Sequence, residues 1–383
     1  MERAGAVRRL AELWTRELAG PARPVGESFV CSPAGLWLAL AAVAAGARGE
    51  TADELRALLG VAEREAGPAV TEAARELART EALGVATRVW SRVPVYRAYR
   101  ESLPDIRFGA MDPAQADAWV REVTGGLIER LPLEITDETL LVLVNALALK
   151  ARWEVPFEGR RTRDALFTDA AGVTRPVPTM HKGVALSDAW TVGGAYVVEL
   201  RCELRSRTEA GAGTPDGGTP AAGTSGGGAP ARVRFVLGEA GAGAAQVLPA
   251  GWAPRESGTA PDADDVTIAV PRLTLRTTVQ ASEQLPALGV RRATSDGAEF
   301  PGLSPEPLAI SQVVQEAVLK IAEEGVEAAA VTVVAMRAGA AAPRPRRVRH
   351  IAFDRPFGVV VLDGAGATPL FAAWQGDTPV HEG

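Results

Sequence analysis

Three histidines, His181, His350 and His381, and two cysteines, Cys31 and Cys202, are all the imidazole and thiol groups in the chain. None stands near a second His, Cys or carboxylate at a ligand spacing, so no metal centre is expected. The adjacent Glu323 and Glu324 would supply an acid and a base. Consecutive residues of a strand point to opposite faces, however, and solvated charge accounts for the pair more simply. No GxSxG, GxxxxGK[ST] or GxGxxG stands at a strand-to-helix turn. The chain therefore shows no catalytic constellation, and neither an enzyme nor a cofactor is expected. One polar residue does stand out. Asn145 lies inside TLLVLVNALALKARWEVPF, a β run that reads as buried on both faces. An unsatisfied buried amide costs about 1–3 kcal/mol, so Asn145 needs partners.

Composition narrows the class. With 383 residues, 47% of them hydrophobic, the chain can bury a large core. A formal net charge of -6 argues against a nucleic-acid binder. The basic run from Arg344 to Arg349, PRPRRVRH in context, is the local exception. A heparin-like or nucleic-acid patch is one reading of it, and a solvated loop the simpler one. Two cysteines make no disulfide framework at this length and suit a reducing compartment. The N-terminal MERAGAVRRLAELWTREL carries charges where a signal peptide needs an apolar core, and no stretch reaches the length of a membrane span. A cytoplasmic monomer is the expectation. The Arg-for-Lys bias, with only Lys150, Lys182 and Lys320, and the heavy use of Ala fit a GC-rich bacterial genome.

The elements that must position Asn145 follow from periodicity. Val7 to Leu18 is an amphipathic helix ended by Gly20 and Pro21. Ser32-Pro33 starts a second helix, apolar nearly all round and therefore buried. Gly46 and Gly49 close it, and Thr51 with Glu54 forms a capping box for a third. LGVATRVWSRVP from Leu83 alternates as a strand, Ala116 to Glu129 is helical, and Val266 to Thr277 and Ile351 to Leu370 add strands. Helices gathered early among many strands give an α+β class. Thr208 to Ala231, TEAGAGTPDGGTPAAGTSGGGAPA, has almost no large apolar side chain and reads as a disordered insertion. A shorter low-complexity stretch lies around Ser257 to Asp265.

Several of these segments together resemble one family. SFVCSPAGLWLALAAVAAGARGETADELRALLG resembles the early helix pair of a serpin, and LVLVNALALKARWEVPFEGRRTRDALF resembles its central strand with the Asn, Trp and Pro-Phe that follow. VTIAVPRLTLRTTVQASEQLPALGV, LAISQVVQEAVLKIAEEGVEAAAVT and FDRPFGVVVLDGAGATPLFAAW are similar to three later serpin segments, in order. The resemblance implies a single domain over 1–383, with three β-sheets surrounded by helices and a reactive loop at about 323–350. It also implies an activity. Inhibitory serpins trap a protease when their cut loop inserts into the largest sheet, a standing example of strand addition and stored strain.

The residues themselves bear on that implication. Written as a strand, EEGVEAAAVTVVAMR places Val326, Ala328, Ala330, Thr332, Val334 and Met336 on one face. Glu327, Ala329, Val331, Val333, Ala335 and Arg337 fall on the other, so one face is free of charge. An Ala-rich helix is the competing reading, but the run Val331-Thr332-Val333-Val334 weighs against it. The resemblance makes Glu323, Glu324, Gly325, Val326, Glu327, Ala328, Ala329, Ala330, Val331 and Thr332 the loop hinge. It makes Ser32, Asn145 and Gln315 a polar cluster that gates sheet opening, and Trp153 the aromatic where insertion begins. Gln315 stands where the family has a His, and Gly35 where it often has a hydroxyl. An Asn145–Gln315 amide pair is the expected substitute.

Counted forward from the first hinge Glu, as the resemblance implies, the cut falls at Gly339–Ala340, whereas counting back from Pro356-Phe357 lands near Pro345. The forward count is preferred because insertion geometry fixes the length between hinge and cut. A small residue there favours an elastase-like or subtilisin-like target. Arg337 would suit a trypsin-like protease and Met336 a chymotrypsin-like one. The basic run then lies beyond the cut, where it could steer an acidic protease. The alternative to an inhibitor is a serpin-fold binding or scaffolding protein whose loop is only a substrate.

Overall fold

The computed structural model of the protein describes residues 2–20, 26–131, 135–203, 228–326 and 347–381. Its largest sheet has six strands, in the order β1 (Phe29–Cys31), β19 (Pro369–Gln375), β18 (Phe357–Leu362), β12 (Arg232–Leu237), β10 (Ala195–Arg201) and β9 (Ala189–Val192). Strands β18 and β19 are buried at every position, as their apolar runs FGVVVL and PLFAAW require. A four-stranded sheet runs β17 (Val348–Ala352), β13 (Asp265–Pro271), β8 (Thr174–Val184) and β7 (Arg163–Thr168).

The remaining sheet is in two parts. One has the order β4 (Arg107–Ala110), β3 (Leu83–Ser91), β5 (Leu141–Leu149). The other has the order β14 (Leu273–Gln280), β15 (Val314–Ile321), β16 (Gly325–Val326), β6 (Ala151–Arg152). Strand β6 follows β5 after Lys150 alone, so the two parts share one path of chain. Among the described residues no ladder joins β5 to β15. A short parallel pair, β2 (Thr80–Glu81) with β11 (Ala229–Pro230), completes the strands.

The early helices pack as their patterns require. Helix α1 (Glu2–Leu18) buries Val7, Leu10, Trp14 and Leu18. Helix α2 (Pro33–Ala44) is buried nearly all round, and Ser32 caps it by accepting a hydrogen bond from the Gly35 amide. Helix α3 (Gly49–Leu59) departs from expectation. Arg48 precedes it with no side-chain cap, and Thr51 and Glu54 accept instead from the backbone amides of Glu299 and of Arg291 and Arg292. The loop at 291–299 lacks internal partners for those amides and takes both side chains. Helices α4 (Glu63–Leu77) and α5 (Arg97–Ser102) follow. Helix α6 (Pro113–Val123) starts earlier and stops sooner than Ala116 to Glu129, because Asp112 caps its first turn and Gly125 and Gly126 adopt left-handed φ of 59° and 84°.

Two further expectations need correction. Strand β5 is not buried on both faces: Val142, Val144, Ala146 and Ala148 are buried, while Leu141, Leu143, Asn145 and Leu147 are half-buried. The half-buried set faces the main core beside the strand edge that lacks a ladder, where solvent reaches it. The insertion placed at 208–231 also ends sooner, since Gly228 to Ala231 belong to the fold. The Ala229 amide bonds Arg79 O, and Ala231 is fully buried and accepts from the Cys202 amide.

Ser32 ties α2 to β19, donating from Oγ to Leu370 O at 2.6 Å while it caps Gly35. Ser32→Ala leaves one buried acceptor and one buried donor unpaired and is expected to destabilise the intact protein by about 1–2 kcal/mol. The urea midpoint of the variant against wild type measures this.

Candidate functional site

The hinge residues that are described form a turn rather than an open loop. After Ile321 the chain reverses through Ala322 to Gly325, closed by Ala322 N donating to Gly325 O at 3.1 Å. Val326 then pairs antiparallel with Ile321 of β15, and Gly325 and Val326 pair antiparallel with Arg152 and Ala151 of β6. Two residues of the chain thus sit as a strand between β15 and β6. Neighbouring strands lie about 4.8 Å apart, so β6 and β15 stand two strand spacings apart here. Gly325 is required by this closeness: a Cβ there would fall 2.2 Å from Ala151 O and 2.7 Å from Arg152 Cα. Val326 is 3% exposed.

Trp153 holds the turn from the β6 side. Its indole Nε1 donates to Ala322 O at 2.9 Å and its amide to Glu324 O at 2.8 Å, while the Phe157 amide donates to Glu323 O. The ring is 1% exposed and packs between Phe157 and Phe235. Burial and hinge contact therefore coincide in one side chain.

Glu323 is buried and accepts two hydrogen bonds from Arg272 Nε, a third contact from Arg272 Nη2, and one from Thr162 Oγ1. Burial pushes its carboxyl up, but the bonds from Arg272 and Thr162 outweigh this and hold it below the ordinary carboxylate range. Glu324 pairs with Arg152 at 3.4 Å. Arg272 and Thr162 carry this latch without having been singled out from the sequence. The signal that could have found them was Glu323 itself, because a carboxylate in a segment fit for burial needs a cation.

The polar cluster assembles differently from expectation. Gln315 clasps the backbone of Ser32, accepting from its amide at 2.6 Å and donating to its carbonyl at 3.0 Å. Asn145 donates to Thr87 Oγ1 at 2.9 Å, and its Oδ1 is buried with no hydrogen-bond partner. No hydrogen bond joins Asn145 to Gln315, whose side-chain oxygen and nitrogen both turn to the Ser32 backbone. The three residues still converge on Gly35, where a Cβ would lie 3.0 Å from Ser32 Oγ, 3.2 Å from Asn145 Oδ1 and 3.3 Å from Gln315 Nε2.

Glu327, Ala328, Ala329, Ala330, Val331, Thr332, Met336, Arg337, Gly339 and Ala340 lie outside the described residues. Beyond them the chain returns at Arg347, whose side chain pairs with Asp262 at 2.9 Å and whose amide bonds Asp264 Oδ2 at 2.8 Å. Arg349 stacks over Tyr196. The basic run is thus met by acid at Arg347, within the stretch read as low complexity. The three histidines are dispersed, and among the described residues no three His, Cys, Asp or Glu side chains gather as a metal site. Among the same residues no helix is long and apolar enough to cross a membrane.

The family model described as Serpin (serine protease inhibitor) matches residues 16–210 and 250–374. The chain belongs to the serpin family. A serine proteinase inhibitor of Cavia porcellus is 28% identical over 67% of this chain, a match that spans 56% of that relative. The leukocyte elastase inhibitor of Bos taurus is 28% identical over 81% of this serpin and 83% of its own length. Among solved structures, human thyroxine-binding globulin with its hormone superposes with a TM-score of 0.75 at 20% identity, covering 97% of both chains. That likeness speaks to the fold alone.

Two outcomes test the latch. Arg272→Ala, which leaves the buried Glu323 carboxylate without its cation, is expected to lower the stability of the intact serpin by about 2 kcal/mol. The folded Glu323 pKa lies below its unfolded value, so the latch contributes fully above about pH 4.5 and is lost as the pH falls through the lower folded value. A melting series in pH should therefore show an acid decline in wild type that Glu323→Gln flattens.

Proposed function

We propose that this serpin is a suicide inhibitor of a serine protease, which cuts the loop between Val326 and Arg347 and is trapped as the loop inserts. The observation that carries the reading is strand β16, seated between β15 and β6 and paired with both. Residues 327–340 are written to extend it: Val326, Ala328, Ala330, Thr332, Val334 and Met336 form an uncharged face for the core, with Glu327 and Arg337 on the other. The unlinked edges of β5 and β15 would supply the backbone partners. In this reading Trp153 and the Glu323–Arg272 pair fix the point from which insertion proceeds, and Ser32, Asn145 and Gln315 set its rate. The chain acts as one domain, with Gly339–Ala340 as the cut bond and an elastase-like or subtilisin-like target. Met336 and Arg337 are the other cut positions.

A second reading has its own support. The Asn145 Oδ1 without a partner and the Gly35 notch leave the gate less bonded than a full polar cluster. A loop that is cut but inserts too slowly would make the protein a binding or scaffolding serpin.

Incubation with elastase-like, subtilisin-like and trypsin-like proteases separates the two. The inhibitor reading predicts a covalent adduct that survives boiling in detergent with at least one of them. Cleavage of the loop by all three with no adduct supports the second reading and removes the first. Gly325→Val, which must push the hinge out of contact with Ala151, is expected to shift the outcome from adduct to cleaved serpin.

A further inference from the structure

Strands β3 and β4 place two arginines side by side. They pair in parallel with Arg88 aligned to Arg107 and Trp90 aligned to Gly109. Arg88 shares a face with Trp90, the face that carries Val144 and packs against α6 through Trp119 at 5.4 Å between ring centroids. Like charges directly across a strand pair repel, so this alignment is costly by itself. No carboxylate offsets it: among the described residues neither guanidinium has an ion-pair or hydrogen-bond partner, and Arg88 Nε is buried without one. The Arg88 guanidinium lies 5.0 Å from the centre of the Trp90 ring, which fixes its plane but satisfies none of its five donors. Its Nη2 reaches toward β4, to 3.6 Å from where a Cβ of Gly109 would stand. The absence of a side chain at Gly109 leaves the approach to that nitrogen open, and Arg107 is exposed beside it.

We propose that Arg88 and Arg107 form a binding site for a small oxyanion of the phosphate or sulfate type, bridging β3 and β4 at the edge of α6. Arginine forks match two oxygens of such an anion, and an anion between them turns the repulsion of the pair into attraction. Arg88, immobilised on Trp90 and half-buried, supplies the oriented donors; Arg107 closes the site from solvent. An anion held there ties the first two strands of the β4–β3–β5 half into one unit. The site stands on its own geometry and does not require the protein to inhibit a protease.

Thermal melting of the full chain in sodium phosphate and in sodium sulfate, each against sodium chloride at matched ionic strength, tests the proposal. Wild type should melt higher in both oxyanions than in chloride, with a saturable dependence on concentration. Arg107→Gln removes a side chain that makes no bond in the fold and should weaken the apparent affinity about tenfold or more, the equivalent of one lost charged hydrogen bond. Arg88→Gln should do the same, while Arg163→Gln, an equal charge change on exposed β7, should leave the affinity as in wild type. No stabilisation beyond chloride in wild type, or equal affinity in Arg107→Gln and wild type, would overturn the site.

Discussion

The arrangement of this serpin depends on one geometric fact: β15 and β6 stand apart by the width of a strand, and Gly325 and Val326 are seated between them. Everything around that point keeps it so. Gly325 allows the backbone to approach Ala151, Trp153 pins two carbonyls of the turn with its ring and its amide, and Arg272 neutralises the buried Glu323. Unlinked strand edges are a liability in most proteins, because they recruit other chains. Here the sequence that follows Val326 has the composition of a strand with one uncharged face.

The Glu323 latch and the contacts of Ser32, Asn145 and Gln315 hold different parts of the fold. Glu323, Arg272 and Thr162 are charge-assisted and depend on pH, so they govern how firmly the head of the strand is seated. Gln315 and Ser32 instead fasten β15 to the start of α2, and Ser32 carries the same link on to Leu370. Asn145 fastens β5 to β3 through Thr87. The two sides of the gap are therefore held to separate parts of the molecule. A single amide pair across it would have joined them.

Much of this was legible in the sequence, for stated reasons. Ser32-Pro33 announces a capped helix because its chemistry is local, and the strands around Asn145 and Val359 follow from apolar runs. The partners of Asn145 and Gln315 were not legible. Which hydrogen bond an amide makes depends on competitors from distant segments, and Ser32 offered Gln315 a donor and an acceptor at once. The same competition moved Thr51 and Glu54 from a local capping box to the 291–299 loop. The burial of Glu323 was hidden because a Glu-Glu pair reads as solvated unless its cation, 51 residues upstream, is known to be near.

The most direct test of the account is amide hydrogen exchange along β5 (141–149) and β15 (314–321), in the intact chain and after a single cut in the loop. The account predicts that protection rises sharply and together in both strands once the loop is cut, because each gains a ladder on the edge that lacked one. Unchanged exchange in both strands after cleavage would contradict it.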